Sequence, residues 1–188
     1  MLAFEPPDWR ALLGTGGEPT LGGAIACNLA GPRRVRAGAP RDFFLGFAAV
    51  NGFGEVWKAG GKVVKNVTGY DLMKLQAGAF GTLSVLTEAT VKVMPRPETE
   101  RTILLRALAD EVAVQTMSRA LNTPFEVSAA AHLSHGAARR SRVNEAAEGL
   151  GAVTAIRLEG PRPSVAYRTQ AIEEIFGRGA HVDDAASA

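Results

Sequence analysis

One stretch limits the possible folds of this chain more than any other. From Leu83 to Val93, the residues Leu83, Val85, Thr87, Ala89, Val91 and Val93 alternate with Ser84, Glu88, Thr90 and Lys92. Only Leu86 breaks the order. Alternation with period two predicts a long β-strand with one buried face and one half-polar face. Gly81-Thr82 opens this strand. Before it, Leu72, Met73, Leu75 and Gln76 fall at helical spacing, which predicts a short helix over Tyr70–Ala77 ended by Gly78. A strand of this kind needs partner strands and a covering layer.

The preceding residues supply candidates for both. Pro6, Pro7, Gly14, Gly16, Gly17 and Pro19 leave little regular structure for residues 1–19. Thr20 is a helix cap, and the residues from Leu21 to Gly31 are nearly all small, so a helix here can press its backbone against a neighbour. Paired glycines at such a helix start suit either close packing or an anion such as a pyrophosphate. Arg33, Arg34, Arg36 and Arg41 follow in a short loop. They can grip phosphate or carboxylate groups, face an acidic partner, or simply be solvated. Asp42–Val50 and Glu55–Ala59 read as strands joined by the turn Asn51-Gly52-Phe53-Gly54, a hairpin closed by Gly60-Gly61.

The character of the sequence changes near residue 100. Fifteen of the 21 glycines and all five lysines lie before it, and the two prolines of MPRPETE mark the change. This predicts two domains, 1–99 and 100–188. In the second, strands are expected over Thr102–Leu108, Phe125–Leu133 and Ala152–Glu159, with helices over Asp110–Leu121 and Val165–Phe176. Val112, Val114, Met117 and Leu121 are expected on or near the inner face of the first of these helices. The order βαββα is a ferredoxin-like α+β module lacking its last strand, followed by a frayed tail over 177–188.

Several chemistries are excluded. The formal net charge of +2 is too weak to argue for nucleic acid. Cys27, the single cysteine, forms no internal disulfide and suits a reducing compartment, so a cytoplasmic protein is expected. With His132, His135 and His181 as the only histidines, no metal-ligand spacing arises. His132 and His135 read as ordinary surface residues, and Cys27 as an inert thiol among small neighbours. No apolar run approaches the roughly 20 residues of a membrane-spanning helix. There is no G-x-S-x-G elbow, Walker loop or H-E-x-x-H.

What remains is the pair of glycine-bearing segments. TLGGAIACNLAGPRR, RDFFLG, GGKVVKNVTGYDL and GAFGTLSVLTEATVKVMPRP, in this order, resemble the FAD-binding domain of the vanillyl-alcohol oxidase/PCMH flavoprotein family. Within it they are most similar to the FAD-binding E subunits of bacterial glycolate oxidases. The resemblance runs from about Leu2 to about Ile175 and is densest over Thr20–Pro97. It implies an α+β chain, the second half of a PCMH-type FAD-binding domain followed by a partial ferredoxin-like cap domain.

By that resemblance, Thr20, Leu21, Gly22, Gly23 and Ala26 line FAD through backbone groups, and Asn28 and Gly31 close the same motif. Gly81, Thr82, Val85 and Leu86 form the strand entrance that meets the flavin, with Lys65, Asn66 and Tyr70 in the adjoining loop. No histidine stands in these segments, which implies non-covalent FAD. Phe80 occupies a position that is acidic in many relatives. The implied partners are a paralogous catalytic flavoprotein subunit and an iron–sulfur subunit, with any membrane contact made through them. No base is evident among the motifs, so the implied role is electron transfer or support. The alternatives are a non-catalytic scaffold, or another oxidase of the superfamily such as a D-lactate or alditol oxidase. The family's P-x-G-x-G-T-like pyrophosphate loop is not found, so the sequence is expected to be an internal piece of such a subunit, weak in FAD binding and poorly soluble alone.

Overall fold

A computed structural model describes residues 1–64 and 69–183. The chain divides into two compact units, Met1–Pro95 and Arg96–Ala188. The elements of the first are α1 (Arg10–Leu13), α2 (Leu21–Ala26), α3 (Arg34–Ala37), α4 (Pro40–Phe43), β1 (Phe44–Asn51), β2 (Val56–Gly60), α5 (Leu72–Gln76) and β3 (Ser84–Val91). The strands form an antiparallel sheet in the order β2-β1-β3.

The β1–β2 hairpin forms because Asn51 organises its own turn. Its side-chain oxygen accepts from the Phe53 and Glu55 amides at 2.9 and 3.0 Å. Asn at the first turn position, followed by glycines that relax the backbone, makes this a local decision. β1 is buried over most of its length, and its inner face carries Phe44, Phe47 and Ala49. Phe47 meets the edge of Trp57 with ring centroids 4.8 Å apart, a favourable quadrupolar arrangement. Ile25 of α2 and Met73 of α5 complete this core.

β3 uses the face that its alternation predicts only in its second half. Ala48 pairs with Glu88 but Ala49 pairs with Leu86, so Thr87 is an extra residue in the ladder. Its hydroxyl donates to the Ala48 carbonyl at 3.1 Å. This bulge shifts the side-chain alternation by one residue. Ser84 and Leu86 therefore point inward before it, and Ala89 and Val91 after it. Val85, expected inside, is 67% exposed on the outer face, in one row with Val50 and Val56.

The end of β2 is the tightest point of the unit. Gly60 has φ +72°, and a Cβ there would lie 2.7 Å from the Met73 sulfur and collide with the Leu45 carbonyl. Only glycine combines that backbone with that approach.

The second unit contains β4 (Thr99–Arg106), α6 (Asp110–Leu121), β5 (Ala129–Leu133), α7 (His135–Ala138), α8 (Asn144–Ala147), β6 (Val153–Gly160), α9 (Arg162–Phe176) and β7 (Ala180–Asp183). The antiparallel sheet runs β5-β6-β4-β7, the split βαβ order. The last strand, which the sequence reading leaves out, is thus present: β7 pairs with β4 and Asp183 forms a two-bond ion pair with Arg101. α9 begins at Arg162, before the expected start at Val165, because Pro163 is tolerated in a first helical turn. α6 buries Ala113 and Ala120, while Val112 and Val114 are exposed. His132 is half-buried rather than a plain surface residue, its ring bonded to Thr154 at 2.9 Å and Asp110 at 3.2 Å.

Gly60→Ala is expected to destabilise the first unit by about 3 kcal/mol. Urea denaturation followed by Trp57 fluorescence measures this. In the second unit, the hydrogen bond from Arg101 holds the Asp183 carboxyl below its ordinary value of 3.8. A depressed carboxylate stabilises the fold above its ordinary pKa and loses that contribution as pH falls through the folded value. The protection factors of the β7 amides, measured against unstructured exchange at the same pH, should therefore fall as pH drops from about 5 through the folded pKa, and Asp183→Asn should reduce that pH dependence.

Candidate functional site

The two glycine-bearing segments meet on the inner side of β3. Thr20, in an extended conformation, caps α2: its hydroxyl accepts from the Gly23 amide at 3.0 Å. Glycine at 23 leaves room for this bond, since a Cβ would lie 3.1 Å from the Thr20 oxygen. α2 then runs for six residues and stops at Cys27. It is shorter than the stretch from Leu21 to Gly31 expected to form it, because Asn28 turns left-handed at φ +52°. With one turn and a half, and the Gly23 amide already held, α2 is too short to bind a phosphate by its dipole alone.

The end of α2 is tied to the turn before β3. The Gly78 amide donates to the Ile25 carbonyl at 3.1 Å and the Phe80 amide to the Ala26 carbonyl at 2.8 Å. Gly78, Phe80 and Gly81 all have positive φ in this turn. Phe80 is the only one with a side chain, and it is held out, 72% exposed. Thr82 closes the turn by donating to the Ala79 carbonyl at 2.6 Å.

Between these parts lies a pocket of about 250 Å³. Thr20, Gly22, Gly23 and Ala26 border it from α2, and Gly81, Val85 and Leu86 from β3 and its entrance. These seven come from the two segments singled out in the sequence. Two residues that the sequence reading did not select complete it: Gln76 of α5 and Ser84 of β3. Both are buried, at 3% and 6% exposure, and the Ser84 hydroxyl donates to the Gln76 side-chain oxygen at 3.1 Å. The helical spacing put Gln76 on the inner face of α5; a polar residue among apolar ones at such a face was the available signal.

The other expected residues go elsewhere. Leu21, the first residue of α2, packs against the core. Asn28 accepts from the Arg41 amide at 3.2 Å, and Gly31 donates to the Phe4 carbonyl at 3.0 Å, so both hold loops together. Tyr70 is 89% exposed and borders a separate pocket with Arg41, Asp71 and Lys74. Lys65 and Asn66 lie outside the described residues. A larger apolar cleft of about 440 Å³ is formed by residues 2–29, with Trp9, Leu13 and half-buried Cys27 among its lining. Its charged residues Asp8 and Arg10 are already paired with each other.

Among the described residues the pocket between α2 and β3 has no titratable side chain. It can bind and orient a group but cannot itself take or give a proton. Among the described residues there is also no cluster fit to hold a metal ion, and no helix long and apolar enough to cross a membrane.

No family model matches the chain. Glycolate oxidase subunit GlcE of Escherichia coli is 46% identical over 117 residues, 60% of this chain and 32% of that protein. This chain resembles a glycolate oxidase subunit. Subunit GlcD of Bacillus subtilis is 40% identical over 115 residues, covering 61% of this chain and 24% of that protein. An uncharacterised FAD-linked oxidoreductase of Mycobacterium tuberculosis is 40% identical over 85 residues, 45% of this chain and 18% of that protein. The chain thus spans about a third or less of the length of these relatives. Its fold matches part of alkyldihydroxyacetonephosphate synthase, with a TM-score of 0.60, 18% identity, and coverage of 87% of this chain and 32% of that one.

Thr20→Ala removes the cap that sets the start of α2. It is expected to cost about 1 kcal/mol, measured as a lowered midpoint of chemical denaturation.

Proposed function

We propose that this chain forms one wall of a non-covalent FAD site in a glycolate (2-hydroxy acid) oxidase or dehydrogenase complex. The carrying observation is the pocket that joins α2 to the entrance of β3, since it assembles residues from both motifs. Its residues fit one ring-bearing part of FAD: walls of glycine and alanine, the apolar side chain of Leu86, and a buried side-chain amide. At about 250 Å³ it is smaller than the roughly 300–1,000 Å³ of a whole small-molecule site. It therefore takes a portion of the dinucleotide. The likeness to two glycolate oxidase subunits and to a FAD-linked oxidoreductase supports this reading.

The role of the chain is to hold the cofactor and support electron transfer. A flavin, when bound, supplies the two-electron redox chemistry. The residues of this pocket contribute orientation and exclusion of water, because none of them titrates near neutral pH. Oxidation of the hydroxy acid belongs to a paralogous catalytic flavoprotein subunit, and onward transfer to an iron–sulfur subunit. The assembly is cytoplasmic, peripheral to the inner membrane through its partners. A scaffold role is the second reading, favoured by the small size of the pocket; exposed Arg34 and Arg36 would then be its docking face.

FAD titrated into the purified chain is expected to bind saturably with a dissociation constant weaker than about 1 μM, or −8 kcal/mol. Acid precipitation should release all of it to the supernatant. Absence of saturable binding, both alone and with the partner subunits, would leave the scaffold reading.

A further inference from the structure

The buried carboxamide of Gln76 is unusual in one respect. Its oxygen accepts from Ser84, but its nitrogen is buried and has no hydrogen-bond partner. An unpaired buried amide destabilises a fold by roughly 1–3 kcal/mol, and such groups are few in native proteins. Yet Gln76 borders the pocket rather than lying sealed in the core. Its last torsion joins tetrahedral to planar carbon and turns over a broad range. A group entering the pocket can therefore meet the N–H as the amide turns towards it, while Ser84 limits how far the amide swings.

We propose that Gln76 recognises the ligand: held by Ser84, its side-chain N–H donates to an acceptor on the edge of a heteroaromatic ring seated between α2 and β3. The inference rests on the FAD reading above. Two rings of that cofactor carry such acceptors, the flavin through carbonyl oxygens and the adenine through ring nitrogens. The other pocket walls are glycine, alanine and aliphatic side chains, which accommodate a ring face but do not read its edge. Thr20 is the remaining polar side chain; its oxygen accepts from the Gly23 amide in the cap of α2, and it is exposed where Gln76 is buried. Gln76 is thus the group available to distinguish one ring edge from another.

The test separates recognition from packing by reading stability and binding together in the full chain. Gln76→Met keeps the shape and removes the amide; combined with Ser84→Ala it leaves no orphaned polar group. The double variant is expected to melt a few degrees higher than the parent without ligand. Its FAD affinity should fall about tenfold. Ser84→Ala alone keeps the amide but frees it, and should weaken FAD roughly threefold. FMN and AMP titrated separately show which ring is read, by which one loses affinity in Gln76→Met. A melting point that falls in the double variant marks a packing residue and overturns the proposal. So does unchanged FAD affinity in Gln76→Met, or a loss shared by neither FMN nor AMP. If the parent chain takes up no FAD, alone or with its partners, the functional reading fails and this one with it; a parent that binds while the variants bind equally well refutes the role of Gln76 alone.

Discussion

Two backbone hydrogen bonds hold the first unit's site together. They run from Gly78 and Phe80 to the last carbonyls of α2. A helix end leaves carbonyls that need donors, and here the donors come from a turn distant in sequence. Because that turn leads directly into β3, satisfying the helix also fixes the strand beside it. The left-handed residues are the local cost. Gly78 and Gly81 adopt positive φ without penalty, while Phe80 does so with a full side chain. The pocket follows from this joint and from the small residues of α2, which allow the backbone to approach β3.

What could be read from the sequence was mostly local. The Thr20 cap, the Asn51 turn and α6 at Asp110–Leu121 each depend on residues within a few positions, and each is seen. Features set by partners distant in sequence were harder. The inner face of β3 depends on its register against β1, and one extra residue at Thr87 reverses the alternation. Leu86, the single exception in the pattern, was the trace of that bulge. α6 faces its sheet with Ala113 and Ala120 rather than with Val112 and Val114. β7 is short and half-polar, and only pairing with β4 makes it a strand.

The site divides along the same line. Glycines that border the pocket, such as Gly22, Gly23 and Gly81, could be found from a motif, because the motif records where a chain must turn or approach closely. The buried polar side chains that border it could not. Gln76 looks like one more position on an amphipathic helix until the fold places Ser84 opposite it. Tyr70 shows the converse: it sits in a recognisable motif, yet its ring is in solvent and apart from the pocket.

A wall built from main chain has a further property. Its hydrogen-bonding groups are the same whatever residue stands at a position, so mutation can block such a wall but hardly retune it. On the proposed reading, drift in ligand preference enters through α5, a helix of five residues anchored in the core by Met73, which lies against Gly60. Preference and backbone fit are then inherited through different elements, and one can change while the other stays intact.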